Sequence, residues 1–134
     1  MLFDIHPDAS VPIYEQIVAQ LIFGIASGAV EPGATIPSIR ELADKLIVNP
    51  NTVARAVQEL ERRGVVASKR GVGMEVTEAA PDLCRTERKD IIRRRIREAL
   101  QEAASSALSP DDIRRIVDDE LAKANGHRRS KERH

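Results

Sequence analysis

Asn49, Asn51, Thr52 and Arg55 crowd into one short stretch, and Lys69 and Arg70 follow on a basic turn, K-R-G-V-G. Amide, hydroxyl and guanidinium side chains are the types that hydrogen-bond to nucleobase edges and phosphate oxygens. No catalytic or metal-binding constellation competes with them. The three histidines, His6, His127 and His134, lie near the two ends without ligand spacing. The single cysteine, Cys84, can make neither an internal disulfide nor a zinc site. There is no nucleophile paired with a base, and Gly71-Val72-Gly73 lacks the strand-then-helix setting of a nucleotide fold. The residues therefore point away from an enzyme, and no cofactor or metal is expected.

The elements that must position these side chains lie between Pro37 and Gly73. Ser38 can cap a helix, and Glu41 three residues on completes a capping box. Leu42, Ala43 and Leu46 line one face of that helix. Ile47 to Asn49 then separate it from a second helix, capped by Asn49 with Pro50 at the first position, where a missing N–H costs nothing. Val53, Val57 and Leu60 form its buried stripe, and Gly64 supplies a left-handed stop. So short a joint predicts a helix-turn-helix, with the N-terminal residues of the second helix entering the DNA major groove. Val65 to Ala67 favours a strand, and Met74 and Val76 alternate as its return, a wing with Lys69 and Arg70 at its tip. The candidate DNA contacts are Ser38, Arg40, Asn49, Pro50, Asn51, Thr52, Arg55, Lys69, Arg70 and Gly71. An amphipathic helix pair with ordinary surface charge would need both caps, the short joint and the wing to coincide by accident.

Residues 12 to 77 resemble the winged helix-turn-helix domain of the GntR family of bacterial transcriptional regulators. The motifs are P-I-Y-E-Q-I at 12–17, P-S-I-R-E-L-A at 37–43, N-P-N-T-V at 49–53, L-E-R-R-G-V-V at 60–66 and R-G-V-G at 70–73. The N-P-N-T variant and the short C-terminal part resemble the YtrA subfamily. The resemblance implies a sequence-specific DNA-binding regulator in a bacterial cytoplasm, with repression the expected mode. The family usually has glycine between the two helices, where this chain has Ile47, and a β-branched residue resists positive φ. Family members often carry a large effector domain after the winged helix, for which the residues after Pro81 leave no room. Whether a small-molecule effector exists stays open.

The chain has 134 residues, 2% aromatic and 31% charged, with zero formal net charge. Its core must be aliphatic. Charge is unevenly distributed: Asp4, Asp8, Glu15 and Glu31 precede Arg40 with no base among them. A neutral protein can still bind DNA through one basic face, because the interaction is local and screened over roughly 8 Å. Ser10-Val11-Pro12 predicts the start of a first helix, with Tyr14, Ile17, Val18, Leu21, Ile22 and Ile25 as its stripe and Gly28 as its stop. Tyr14 reads as a half-buried core residue. The apolar-rich run from Ile17 to Val30 is too short and polar to span a membrane, and residues 1 to 7 lack a signal-peptide pattern.

Residues 1–78 form the expected DNA-binding domain, residues 79–126 a helical dimerisation region, and residues 127–134 a disordered basic tail. Residues 10–77 should hold their own core, with Glu78 to Pro81 as a linker. A helix over 82–108 and another starting at Ser109-Pro110 and ending at Asn125-Gly126 should make a hairpin. Its stripes include Ile92, Ile96 and Leu100, then Ile113, Val117 and Leu121. So small a hairpin cannot bury both stripes alone with much margin, which predicts a homodimer on a pseudo-palindromic operator in double-stranded DNA. Arg93, Arg94, Arg95 and Arg97 read as a solvated face or as further phosphate contacts. The alternative reading is a winged helix that binds proteins. It would need exposed apolar residues over 49–64, where the chain has polar ones.

Overall fold

A computed structural model describes residues 3–132. The elements run α1 (Ile13–Ala26), β1 (Thr35–Ile36), α2 (Ile39–Leu46), α3 (Pro50–Arg62), β2 (Val66–Lys69), β3 (Gly73–Val76), α4 (Ala80–Ser105) and α5 (Pro110–Glu132). This is the mainly helical fold with a small β wing that the residue pattern predicts. The chain divides into two compact units, the first ending at Ile91 and the second starting at Ile92.

The first unit forms around α1. Ile17, Val18, Leu21, Ile22 and Ile25 are all buried, because apolar residues at this spacing share one helical face. They pack with Leu42 and Ala43 of α2 and with Val53, Ala56 and Leu60 of α3. The strands form an antiparallel sheet of order β1-β3-β2, with Ile36 opposite Met74 and Val66 opposite Val76. Ile36, Val66 and Val76 supply its buried face. The sequence reading predicts only the β2–β3 hairpin, because a strand of two residues is too short to show an alternation.

The N-terminal segment is strapped to α1 by two glutamines one turn apart. The Asp4 N–H donates to Gln20 Oε1 (2.7 Å) while Gln20 Nε2 donates to the Asp4 carbonyl (2.6 Å). Gln16 does the same for His6, at 2.8 and 2.9 Å. A helical turn and two residues of extended chain both span roughly 6 Å, so the two side-chain amides meet alternate backbone groups. Phe3 and Ile5 pack against the core beneath this strap.

Three boundaries differ from those read in the sequence. Residues 78–81 are not a linker: α4 starts at Ala80, and Pro81 falls in its first turn, where its missing N–H is harmless. Ala80, Cys84 and Ile91 are buried in the core of the first unit, so that core extends beyond residues 10–77, and the unit extends beyond residue 78. At its other end α4 stops at Ser105 rather than Leu108. Ala107 turns left-handed at φ 63°, and the Leu108 N–H reaches back to the Ala103 carbonyl at 3.3 Å. Ser109 caps α5 as predicted, accepting from the Asp112 N–H at 3.1 Å. Finally, α5 runs through Gly126 to Glu132. Gly126 does not take the positive φ that would end the helix, so most of the expected disordered tail is helical in its backbone. Arg133 and His134 lie outside the described residues.

Candidate nucleic-acid interface

The joint between α2 and α3 is built by capping at both ends. Ser38 Oγ accepts from the Glu41 N–H at 3.1 Å. Among the described residues, the reciprocal bond of a full capping box, from Ser38 N–H to the Glu41 carboxylate, is not made. Ile47 closes α2 in the left-handed conformation, φ 55° and ψ 52°, with its N–H on the Ala43 carbonyl. The turn therefore keeps the geometry a glycine would give, with a β-branched side chain that is 92% exposed. Asn49 Oδ1 accepts from the Asn51 N–H at 2.8 Å. Its amide oxygen is thus engaged in capping, and its NH₂ group remains available.

The outward face of α3 carries Asn51, Arg55, Gln58 and Arg62, at i, i+4, i+7 and i+11, opposite the buried Val53, Ala56 and Leu60. Asn51, Arg55 and Gln58 are exposed, and Thr52 is half-buried beside them. Gln58 is absent from the sequence-derived set, although its spacing from Asn51 and Arg55 places it on their face. Among the described residues, the side chains of Asn51 and Gln58 make no hydrogen bond within the chain. Arg62 and Arg63 are held within the chain instead. Both bond Glu59, whose carboxyl these partners pull down to about 2 from an ordinary 4.5. Arg63 also reaches Glu87 at 3.1 Å and so fastens the end of α3 to α4.

Arg40 on α2 and Arg70 on the wing are exposed, and among the described residues neither forms an ion pair. Lys69 is paired with Glu75 at 3.3 Å. Gly71 and Gly73 take φ of 79° and 112°, which lets the wing turn back over Lys69-Arg70. Ser38, Pro50 and Gly71 are likewise at the surface. Arg55 has its guanidinium carbon 3.8 Å from the centroid of the Tyr14 ring. Tyr14 is half-buried, as expected of a core residue, yet its ring face is turned to this arginine. Periodicity cannot reveal that contact, because the two residues come from different helices.

Cys84 is wholly buried, and desolvation together with the nearby Glu87 carboxylate pushes its thiol up to about 11. Such a thiol is unreactive. Among the described residues no cluster of His, Cys, Asp and Glu could hold a metal, and no helix is long and apolar enough to cross a membrane.

The second unit presents apolar stripes to solvent. Ile92, Ile96 and Leu100 on α4, and Ile116, Val117 and Leu121 on α5, are exposed, with Ile113 half-buried. Among the described residues, both stripes stay about half open to solvent. On α4 part of the stripe lies in an open groove lined by Arg93, Ile96, Arg97, Leu100, Gln101 and Ala104.

Three comparisons place this architecture. Residues 13–76 match the family described as bacterial regulatory proteins, gntR family. The HTH-type transcriptional repressor YtrA of Bacillus subtilis is 31% identical over 129 residues, which is 96% of this chain and 99% of that protein. Among solved structures, a GntR family transcriptional regulator from Listeria monocytogenes superposes with a TM-score of 0.65 at 33% identity, over 84% of this chain and 97% of that one. YtrA from Sulfolobus acidocaldarius, a GntR-family transcription factor, gives 0.55 at 30% identity, over 92% and 99%. These relatives are regulators of transcription rather than enzymes. The chain belongs to the GntR family of bacterial regulatory proteins and resembles its YtrA members over nearly its whole length.

Proposed function

We propose that this chain is a homodimeric transcriptional repressor, working in the cytoplasm, that reads a pseudo-palindromic operator in double-stranded DNA. The observation that carries the reading is the outward face of α3. Its exposed Asn51, Arg55 and Gln58 sit on a helix whose N-terminus is free of acidic residues. Asn and Gln amides match adenine, and an Arg fork matches guanine. Arg40 and Arg70 contact phosphates on either side and set the register, and Lys69 joins them by exchanging Glu75 for a phosphate. Ser38, Asn49, Pro50, Thr52 and Gly71 complete the contact surface. The absence of large apolar side chains among Asn51, Arg55 and Gln58 disfavours a protein-binding use of the same face.

The second copy is argued from the second unit. The groove on α4 is lined by the apolar Ile96, Leu100 and Ala104 together with Arg93, Arg97 and Gln101. The apolar stripe of α5 is bordered by charges of both signs, Asp112 and Asp119 together with Arg114 and Lys123, and Glu120 is already paired with Lys123. An α5 helix from a second copy matches that groove in apolarity, with Ile116, Val117 and Leu121 exposed to meet it. Pairing covers Ile92, Ile96, Leu100, Ile113, Val117 and Leu121, and it links two half-sites at high effective concentration.

Selection from DNA duplexes with a randomised stretch of about 30 base pairs, long enough for two half-sites, tests the proposal. The expected product is an inverted repeat bound by two copies, with affinity falling by about 0.9 log units per phosphate contact per log unit of salt. Enrichment of no sequence, or a salt-independent affinity, refutes DNA readout. A sedimentation experiment that finds one copy per duplex refutes the dimer.

A further inference from the structure

The contact between Tyr14 and Arg55 assigns Tyr14 a role beyond core packing. We propose that Tyr14 is a positioning residue for operator recognition, its ring face holding the Arg55 guanidinium ready for a base edge before DNA arrives. The inference rests on Arg55 being a DNA contact, as proposed above.

Three observations carry it. The guanidinium carbon lies 3.8 Å from the Tyr14 ring centroid, the separation of groups in van der Waals contact across the ring face. A guanidinium held this way keeps its N–H donors at its rim, where a guanine O6 and N7 can accept two of them. The two residues are also rigidly mounted. Tyr14 lies one turn before the buried Ile17 and Val18, and Arg55 is next to Ala56, which is wholly buried. Finally, among the described residues Arg55 forms no ion pair, whereas Arg62, two turns on along the same face, is tied to Glu59. Arg55 is thus oriented by a neutral group that leaves its charge available to DNA. An unrestrained arginine must lose its rotamer freedom on binding, and pre-ordering removes part of that cost. The Tyr14 hydroxyl donates to Glu15 at 3.1 Å, so its polar end has a partner of its own.

A double-mutant cycle tests this, with the duplex recovered by the selection above and a random duplex as probes. Arg55→Ala should weaken binding of the selected duplex by about tenfold or more. Tyr14→Leu should weaken it by about two- to fivefold, with no further loss in the Arg55→Ala background. Tyr14→Phe, which keeps the ring, should stay within about twofold of the parent. Binding of random duplex should be unchanged by Tyr14→Leu, because a loosened arginine still finds a phosphate. Thermal unfolding checks each variant, and Tyr14→Met replaces Tyr14→Leu if the latter fails to fold. Failure of Arg55→Ala to weaken binding overturns the DNA contact itself, and the positioning role with it. An Arg55 effect with no loss in Tyr14→Leu or Tyr14→Met, or the same Tyr14 loss in both backgrounds, overturns the positioning role alone. So does a loss in Tyr14→Phe equal to that in Tyr14→Leu.

Discussion

Replacing Ile47 by glycine should stabilise this protein. Ile47 holds φ 55° and ψ 52° at the end of α2, a conformation that costs an L-residue about 1–2 kcal/mol. A β-branched side chain belongs at the upper end of that range. Glycine takes the same angles without strain but adds about 0.5–1 kcal/mol of unfolded-state entropy to be lost on folding. The side chain is 92% exposed, so deleting it forfeits almost no burial. The balance favours Ile47→Gly by about 1 kcal/mol, which in a domain of this size raises Tm by about 4–8 °C. Thermal and urea unfolding followed by circular dichroism measure it, at fixed protein concentration because self-association raises apparent stability. Ile47→Asn should gain part of the effect, since Asn tolerates this region, and Ile47→Ala should gain less than Asn. A glycine variant with an unchanged or lower Tm refutes the claim that this turn is strained.

The extent of the first unit is open to truncation: a chain ending at Pro81 lacks Cys84 and Ile91 and should unfold at lower temperature than one ending at residue 97. Equal melting of the two would return the boundary to residue 78. In the full chain Leu100→Arg places a charge in the proposed seam and should give a folded monomer with weakened operator binding, read by sedimentation and gel shift. Arg40→Ala should weaken operator and random DNA alike, whereas Asn51→Ala should cost the operator about 1–3 kcal/mol more than random duplex. Equal losses for Asn51→Ala would make it a backbone contact. Glu59 is the acid-sensitive link: its carboxyl is held at about 2 by Arg62 and Arg63, below its unfolded value. Its contribution is therefore complete above about pH 5 and lost as pH falls through about 2. The difference in urea midpoint between the parent and Glu59→Gln should be constant from pH 7 to about 5 and vanish towards about pH 2.

Much of this protein is determined locally and was legible for that reason. The caps at Ser38, Asn49 and Ser109, the stripe of α1, the short joint and the wing each depend on residues within a few positions of one another. So do the candidate contacts, because a helix that buries Val53, Ala56 and Leu60 must turn Asn51 and Arg55 outward. Even Gln58 follows from that spacing. The conformation of Ile47 does not follow, because its own φ preference opposes it. The turn is imposed by packing α2 against α3, and the strain is offset by the core those helices share. Likewise Pro81 and Gly126 read as breaks, since local propensity is all a sequence displays. Whether a proline sits harmlessly in a first turn, or a glycine stays helical, depends on what the rest of the helix does. The pairing of Tyr14 with Arg55, and the burial of Cys84 and Ile91 in the core of the first unit, join residues far apart in the chain. Such contacts leave no periodic trace, and only the tertiary structure could decide them.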